Sequence, residues 1–201
     1  IFVRPAETLS SLLARLSIRD PQAADFIARH HEAGPLIYPH AGQFVSATAN
    51  EDGLLQDLKL YLDSNVTDQG SLVHVWRDGQ GKLSLEVAPY EYEVELTMVN
   101  GFVGNSVDES LHQSKVPQPI VRQMHSAFDY DLDLVSQLKK GDAYRLIYET
   151  KFAEGSFVRY GRLLAMQLDH NGQTTELFWF GGDGIGGNYY DAKGNIAKRI
   201  F

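Results

Sequence analysis

Phe2-Val3-Arg4-Pro5-Ala6-Glu7-Thr8-Leu9-Ser10-Ser11-Leu12-Leu13-Ala14-Arg15-Leu16 opens the chain and decides how its first part is read. Leu9, Leu12, Leu13 and Leu16 recur at i, i+3, i+4 and i+7, which lines one face of a helix with apolar side chains. Thr8 stands just before them, where its hydroxyl can accept an N–H that the first turn leaves free. A polar turn at 4–7 therefore joins a short extended start to a helix.

Working outward, Asp20-Pro21 predicts a second helix, with Asp as N-cap and Pro at the first helical position. It is expected to run to about His31 and to stop at Gly34-Pro35. Residues 43–49 read as a strand, Asn50-Glu51-Asp52-Gly53 as a turn, and 54–62 as a half-buried strand with Leu58, Leu60 and Leu62 on one face. The polar stretch 64–70 is the predicted boundary, giving domains 1–64 and 70–201. Beyond it, 72–76 and 83–87 form a hairpin around Asp78-Gly79-Gln80-Gly81. Tyr90, Tyr92, Val94, Leu96 and Met98 alternate with Glu91, Glu93, Glu95 and Thr97, which predicts a strand with one wet, acidic face. Helices are expected at 117–128 and 132–138, the latter ending on Lys139-Lys140-Gly141. Strands follow at 144–151, 157–168, 174–180 and 196–201, with turns at Glu154-Gly155 and 169–172. The expected fold class is α+β: a small N-terminal module, then a domain with a mainly antiparallel sheet and a helix pair.

The 201 residues carry 26 acids against 18 Lys and Arg, a net charge of -8, which argues against a nucleic-acid partner. There are no cysteines, so disulfides, thiolate metal sites and a Cys nucleophile are excluded. No apolar run approaches the roughly 20 residues that span a bilayer. The first residue is Ile1, not Met, and a trimmed leader or anchor is expected upstream.

Two landmarks in the first part resemble a LysM-like module. One is Arg4-Pro5-Ala6-Glu7-Thr8-Leu9, with Glu7 where the family has Asp and Ala6 where it has Gly. The other is Ile37-Tyr38-Pro39-His40-Ala41-Gly42-Gln43-Phe44, longer by two residues than the family's apolar-Pro-Gly-Gln stretch. Downstream, the run 128–142, Arg162-Leu163-Leu164-Ala165-Met166, and Gly186-Gly187-Asn188-Tyr189-Tyr190-Asp191-Ala192-Lys193-Gly194-Asn195 resemble, in order, the second domain of lysostaphin-type zinc endopeptidases. The resemblance implies the non-catalytic front half of such a peptidoglycan endopeptidase, in the periplasm or cell envelope. The peptidase domain, and its zinc, would begin about where this chain ends. The implied partners are peptidoglycan and a lysostaphin-type peptidase domain, in cis or in trans. It also implies a ligand groove between Pro5, Glu7 and Thr8 on one side and Tyr38, Pro39 and His40 on the other. A carboxylate from Glu7, Glu32, Glu91, Glu93 or Glu95 could enter the zinc's open position.

No catalytic residue, metal ligand or cofactor is assigned to this chain. His125 and Asp129 spell the H-x-x-x-D of those peptidases, but no H-x-H accompanies them, and we read the match as coincidence. His30-His31 reads as a dipole partner at a helix end, and His74 as a hydrogen-bonded sheet residue. There is no G-x-S-x-G elbow. The glycines at 181–187 lack the Lys of a phosphate loop and read as a connection between strands. Asp129, Asp131 and Asp133 lack the Gly and Glu of a calcium loop and read as helix caps. The competing expectations are a freestanding peptidoglycan-binding or peptidase-inhibitor protein, and an enzyme using His125 and Asp129.

Overall fold

The computed structural model describes residues 1–62, 70–128, 134–181 and 186–197. These form six α-helices and two antiparallel sheets, so the class is α+β. The chain divides into two compact units, Ile1–Tyr92 and Glu93–Phe201.

The first unit carries α1 (Leu9–Arg15), α2 (Pro21–Arg29), a 3-10 turn (His31–Ala33) and α3 (Gly34–Ile37). It then forms a meander of β1 (Phe44–Ala49), β2 (Leu55–Leu62), β3 (Gly70–Arg77) and β4 (Leu83–Tyr90). Thr8 caps α1 in a reciprocal box with Ser11, and Asp20 caps α2 through the Ala23 N–H. Gly34-Pro35 starts α3 rather than only ending α2, because Pro costs nothing in a first helical turn. The expected first strand is reduced to a single bridge between Phe2 and Phe44.

The predicted boundary at 64–70 lies, Gly70 aside, outside the described residues. The strands on either side pair with each other from Asp57↔Trp76 to Leu62↔Ser71. Val73 and Val75 of β3 are fully buried in one core with Leu12, Ile27, Leu36, Leu55 and Leu58. The first unit therefore needs the β3–β4 hairpin to close over its helices, and the division falls between Tyr92 and Glu93.

The second unit orders its strands β5 (Glu93–Phe102), β6 (Ala143–Ala153), β7 (Ser156–His170), β8 (Gln173–Phe180) and β9 (Asn188–Tyr190) in sequence. Between β5 and β6 come α4 (Val107–Gln113), α5 (Gln118–Phe128) and α6 (Leu134–Gln137). Leu111, Ile120, Met124 and Val135 from these helices bury against Tyr144, Leu146, Leu163 and Met166 of the sheet. Three helices thus stand where a pair was expected. α4 follows a Ser106 cap that accepts from the Glu109 N–H, a signal the periodicity reading passed over.

The strand expected at 90–99 is two strands. Tyr90 ends β4, and β5 starts at Glu93 with its phase opposite to the expectation. Val94, Leu96, Met98 and Phe102 are exposed. Their alternates Thr97, Val99 and Gly101 lie opposite the buried Tyr148, Leu146 and Tyr144 of β6. The bulk of those three residues fills the core side, and a period of two then sends the β5 apolar set outward. Gly101 is required there, since a Cβ would stand 2.5 Å from the Tyr144 hydroxyl oxygen.

Turns closed as expected. Glu154-Gly155 and Asn171-Gly172 have φ of 50° and 70°, and 50° and 75°, the positive pairs of tight hairpins. Tyr190 bridges Ile196 at the start of the expected final strand, and 198–201 lie outside the described residues.

Candidate functional site

The bridge at Phe2 and Phe44 continues as two backbone bonds, Val3 N–H to the Gln43 carbonyl and Gly42 N–H to the Val3 carbonyl, both 2.9 Å. The turn 4–8 and the loop 38–42 both leave this pairing. Their side chains differ sharply in what is left to offer a ligand.

Glu7 is committed internally. Its carboxylate accepts from the Arg4 N–H at 2.8 Å and from Arg15 Nη1 at 2.6 and 2.7 Å, and its side chain is 3% exposed. The Arg4 N–H, with Arg15 beside it, holds the Glu7 carboxyl below its ordinary range against the opposing effect of burial. Ala6 takes a φ of 57°, a left-handed conformation that costs about 1–2 kcal/mol outside glycine. The Glu7 contacts hold that turn in place. Thr8 is equally occupied in its capping box.

The opposite loop is open. Tyr38 is 77% exposed and His40 is exposed, while Pro39 is half-buried. The Gln43 side chain accepts from the His40 N–H at 2.7 Å, and Gly42 turns the chain at a φ of 88°. Pro5, Tyr38 and His40 thus leave their rings exposed, while Glu7 and Thr8 are engaged within the turn.

His30, His74, His125 and His170 have local partners. His30 Nδ1 donates to the Phe26 carbonyl at 2.7 Å, satisfying a helix-end acceptor. His74 Nε2 donates to Asp57 across β2 and β3 at 2.7 Å. His125 donates to Asp108 of α4 at 2.9 Å, and Asp129 lies outside the described residues. His170 meets Asp142 at 2.6 Å. Among the described residues, no group of three or more His, Asp or Glu side chains could hold a metal ion.

Gly187, Tyr189 and Asp191 of the landmark 186–195 have structural roles. A Cβ on Gly187 would stand 2.3 Å from the Trp179 ring, so the approach of β9 demands glycine. The Tyr189 hydroxyl donates to the Leu163 carbonyl at 2.7 Å, and burial pushes its pKa well above the ordinary tyrosine value. Asp191 accepts from the Lys193 and Asn195 N–H groups at 2.9 and 2.8 Å, which closes the turn. Trp179 sits between the Tyr189 ring at 5.1 Å and the Arg162 guanidinium at 4.0 Å. Residues 182–185 of the glycine-rich stretch lie outside the described residues. Among the described residues no helix is long and apolar enough to cross a membrane.

No protein-family model matches the chain. Its relatives are peptidoglycan peptidases. It is 27% identical over 180 residues to the DD-carboxypeptidase/endopeptidase Mpg of Neisseria meningitidis serogroup B, covering 88% of this chain and 40% of that protein. It is 30% identical over 79 residues to the peptidoglycan DD-endopeptidase ShyC of Vibrio cholerae serotype O1, covering 39% of this chain and 18% of the relative. Among solved structures, Csd3 of Helicobacter pylori is similar with a TM-score of 0.69 at 13% identity, over 97% of this chain and 51% of that one. A zinc-containing peptidase from Vibrio cholerae gives 0.62 at 16% identity, over 100% and 59%. These structural likenesses concern the fold alone. The chain spans 40% of the length of Mpg.

Proposed function

We propose that this chain is a non-catalytic region of a cell-wall zinc endopeptidase, one that docks peptidoglycan and covers the active site of a peptidase domain. The observation that carries the reading is the extent of the Mpg match: nearly all of this chain aligns, and it accounts for well under half of the relative. The missing H-x-H and the paired state of His125 support it. In this reading the first unit is a LysM-like module. Pro5, Tyr38, Pro39 and His40 contact the glycan, and Glu7 and Thr8 hold the turn that presents them. The protein works in the periplasm or cell envelope. Zinc belongs to the peptidase domain, joined in cis or supplied in trans.

The test adds the purified chain to a truncated peptidase domain and follows turnover of a cross-linked muropeptide. Lower turnover at saturating chain is expected. With Glu7 held by Arg15, the carboxylates available for such a block are Glu32, Glu91, Glu93 and Glu95. Unchanged turnover, together with no binding to purified peptidoglycan, would overturn the reading.

A further inference from the structure

Between α2 and the β3–β4 hairpin of the first unit lies a cleft of about 560 Å³, within the range of small-ligand sites. The Phe26 ring and Leu83, both half-buried, line its apolar part. The Arg77 guanidinium forms a wall, each of its nitrogens already donating, to the Leu55 and Gly81 carbonyls and to Asp20. What remains uncommitted is cationic. The Lys82 backbone is bonded to Asp78, but its ammonium has no ion pair among the described residues, and Arg29 meets Asp25, which also lines the cleft, at 3.7 Å on an exposed edge. His30 is fixed by its Nδ1 bond to the Phe26 carbonyl and by packing 4.1 Å from the Phe26 ring, which leaves Nε2 free. The Gln22 amide completes the rim.

This is a positive site on a chain of net charge -8. Surplus cations beside an apolar floor suit a small ligand with one carboxylate and a short aliphatic body. A neutral sugar would leave Lys82 without a counter-charge and Arg29 with Asp25 alone, and a nucleic acid would meet a chain of net charge -8.

We propose that the cleft formed by Phe26, Leu83, Arg29, His30 and Lys82 binds the free C-terminal carboxylate of a short peptide with small side chains, such as a wall stem peptide. The proposal rests on the wall-docking reading and gives it a second ligand site, for peptide rather than glycan. Arg29 and Lys82 hold the carboxylate, Phe26 and Leu83 take the terminal methyl group, and Gln22 can bond the preceding amide.

The experiment titrates the full chain with N-acetyl-D-alanyl-D-alanine, and separately with its C-terminal amide, following backbone amide shifts by NMR. The free acid should shift residues of α2 and the 78–83 hairpin, and the amide should not. R29Q and K82Q, both at exposed positions, should each weaken the acid roughly tenfold while leaving thermal stability unchanged. D25N, which removes a competing carboxylate, should tighten it. Equal binding of acid and amide, shifts confined to other residues, or variants that bind like the parent would overturn the proposal. Co-sedimentation with purified peptidoglycan separates the two claims. Sedimentation with no peptide shifts in the cleft overturns this site alone, and absence of both overturns the docking reading as well.

Discussion

Arg77 Nη2 donates to Asp20 Oδ2 at 2.5 Å across 57 residues of sequence, with the two side chains 12% and 1% exposed. The same carboxylate caps α2 and accepts from the Leu55 N–H at 3.2 Å. One acid thus ties the helix layer of the first unit to β2 and β3. Removing Arg77 leaves the buried Asp20 carboxylate with two N–H donors and no counter-ion, and removing Asp20 leaves Arg77 with two carbonyls alone; losing one partner of a buried pair costs up to about 3–5 kcal/mol. Asp20→Ala and Arg77→Ala should each lower the stability of the first unit by that order. Trp76 lies in that unit and Trp179 in the other, so Trp76 fluorescence in a Trp179→Phe background reads it by denaturant titration. A loss below about 1 kcal/mol would place the pair among ion pairs of little consequence.

The pH dependence follows from the same carboxylate. Burial pushes the Asp20 pKa up, but the Ala23 and Leu55 N–H groups and Arg77 outweigh it and hold it below the ordinary value. The unfolded chain therefore takes up this proton more readily than the folded one, and acid favours unfolding. The contribution is complete above about pH 4, the ordinary Asp range, and is lost as pH falls through the lower folded-state pKa. Asp20→Asn should flatten the acid limb of the first unit's stability curve. An unchanged acid limb would mean that other groups dominate it.

In the second unit, β7 carries two residues, Gly161 and Arg162, opposite the single Glu149 of β6. The Gln123 side chain of α5 donates to the Gly161 carbonyl and accepts from the Leu163 N–H, both at 2.9 Å. Gln123→Ala strands both groups, at about 1–3 kcal/mol for each. Gln123→Glu keeps the acceptor and loses the donor, so it should fall between parent and Ala. Trp179 fluorescence reads the change, and equal stability of all three proteins would show that water replaces the amide.

Gly187→Ala should destabilise the second unit by about 1–3 kcal/mol, because its Cβ has no room beside Trp179. Gly186→Ala is the control, since no described residue lies within 4 Å of its Cβ. Similar melting of the two variants would mean that the β8–β9 end yields without cost.

The division after Tyr92 makes a direct claim about fragments. Residues 1–92 should fold alone with a cooperative transition, and 1–64 should not, because it lacks Val73 and Val75. Leu12→Ala should lower only the first unit's transition and Leu146→Ala only the second's, by about 2–5 kcal/mol each. A folded 1–64 fragment would return the boundary to the polar stretch.

Local chemistry made much of this fold readable. Thr8 and Asp20 announced their helices because caps act within three residues, and Glu154-Gly155 and Asn171-Gly172 announced their hairpins because positive φ is a property of the residue itself. What could not be read was set by distant partners. The hairpin at 70–90 belongs to the first unit because of what Val73 and Val75 pack against, not because of its own composition. The phase of β5 is imposed by Tyr144, Leu146 and Tyr148, which lie 40 or more positions away. In the candidate site, Tyr38 and His40 are exposed, which their place in a Pro-Gly loop made readable. The loss of Glu7 to Arg15 depends on a contact eight residues along the chain that no motif encodes.

β5 stands at the margin of its sheet and shows Val94, Leu96, Met98 and Phe102 to solvent. Its remaining row of amides is a template on which a second copy can add a strand. The charges of Glu93 and Glu95 oppose such pairing, and dissolved salt screens that repulsion beyond about 10 Å at 0.1 M. Handling the purified chain therefore runs against habit: concentrated stocks should stay clear in dilute buffer and cloud as sodium chloride is raised, and a single lysine at Leu96 should cure them.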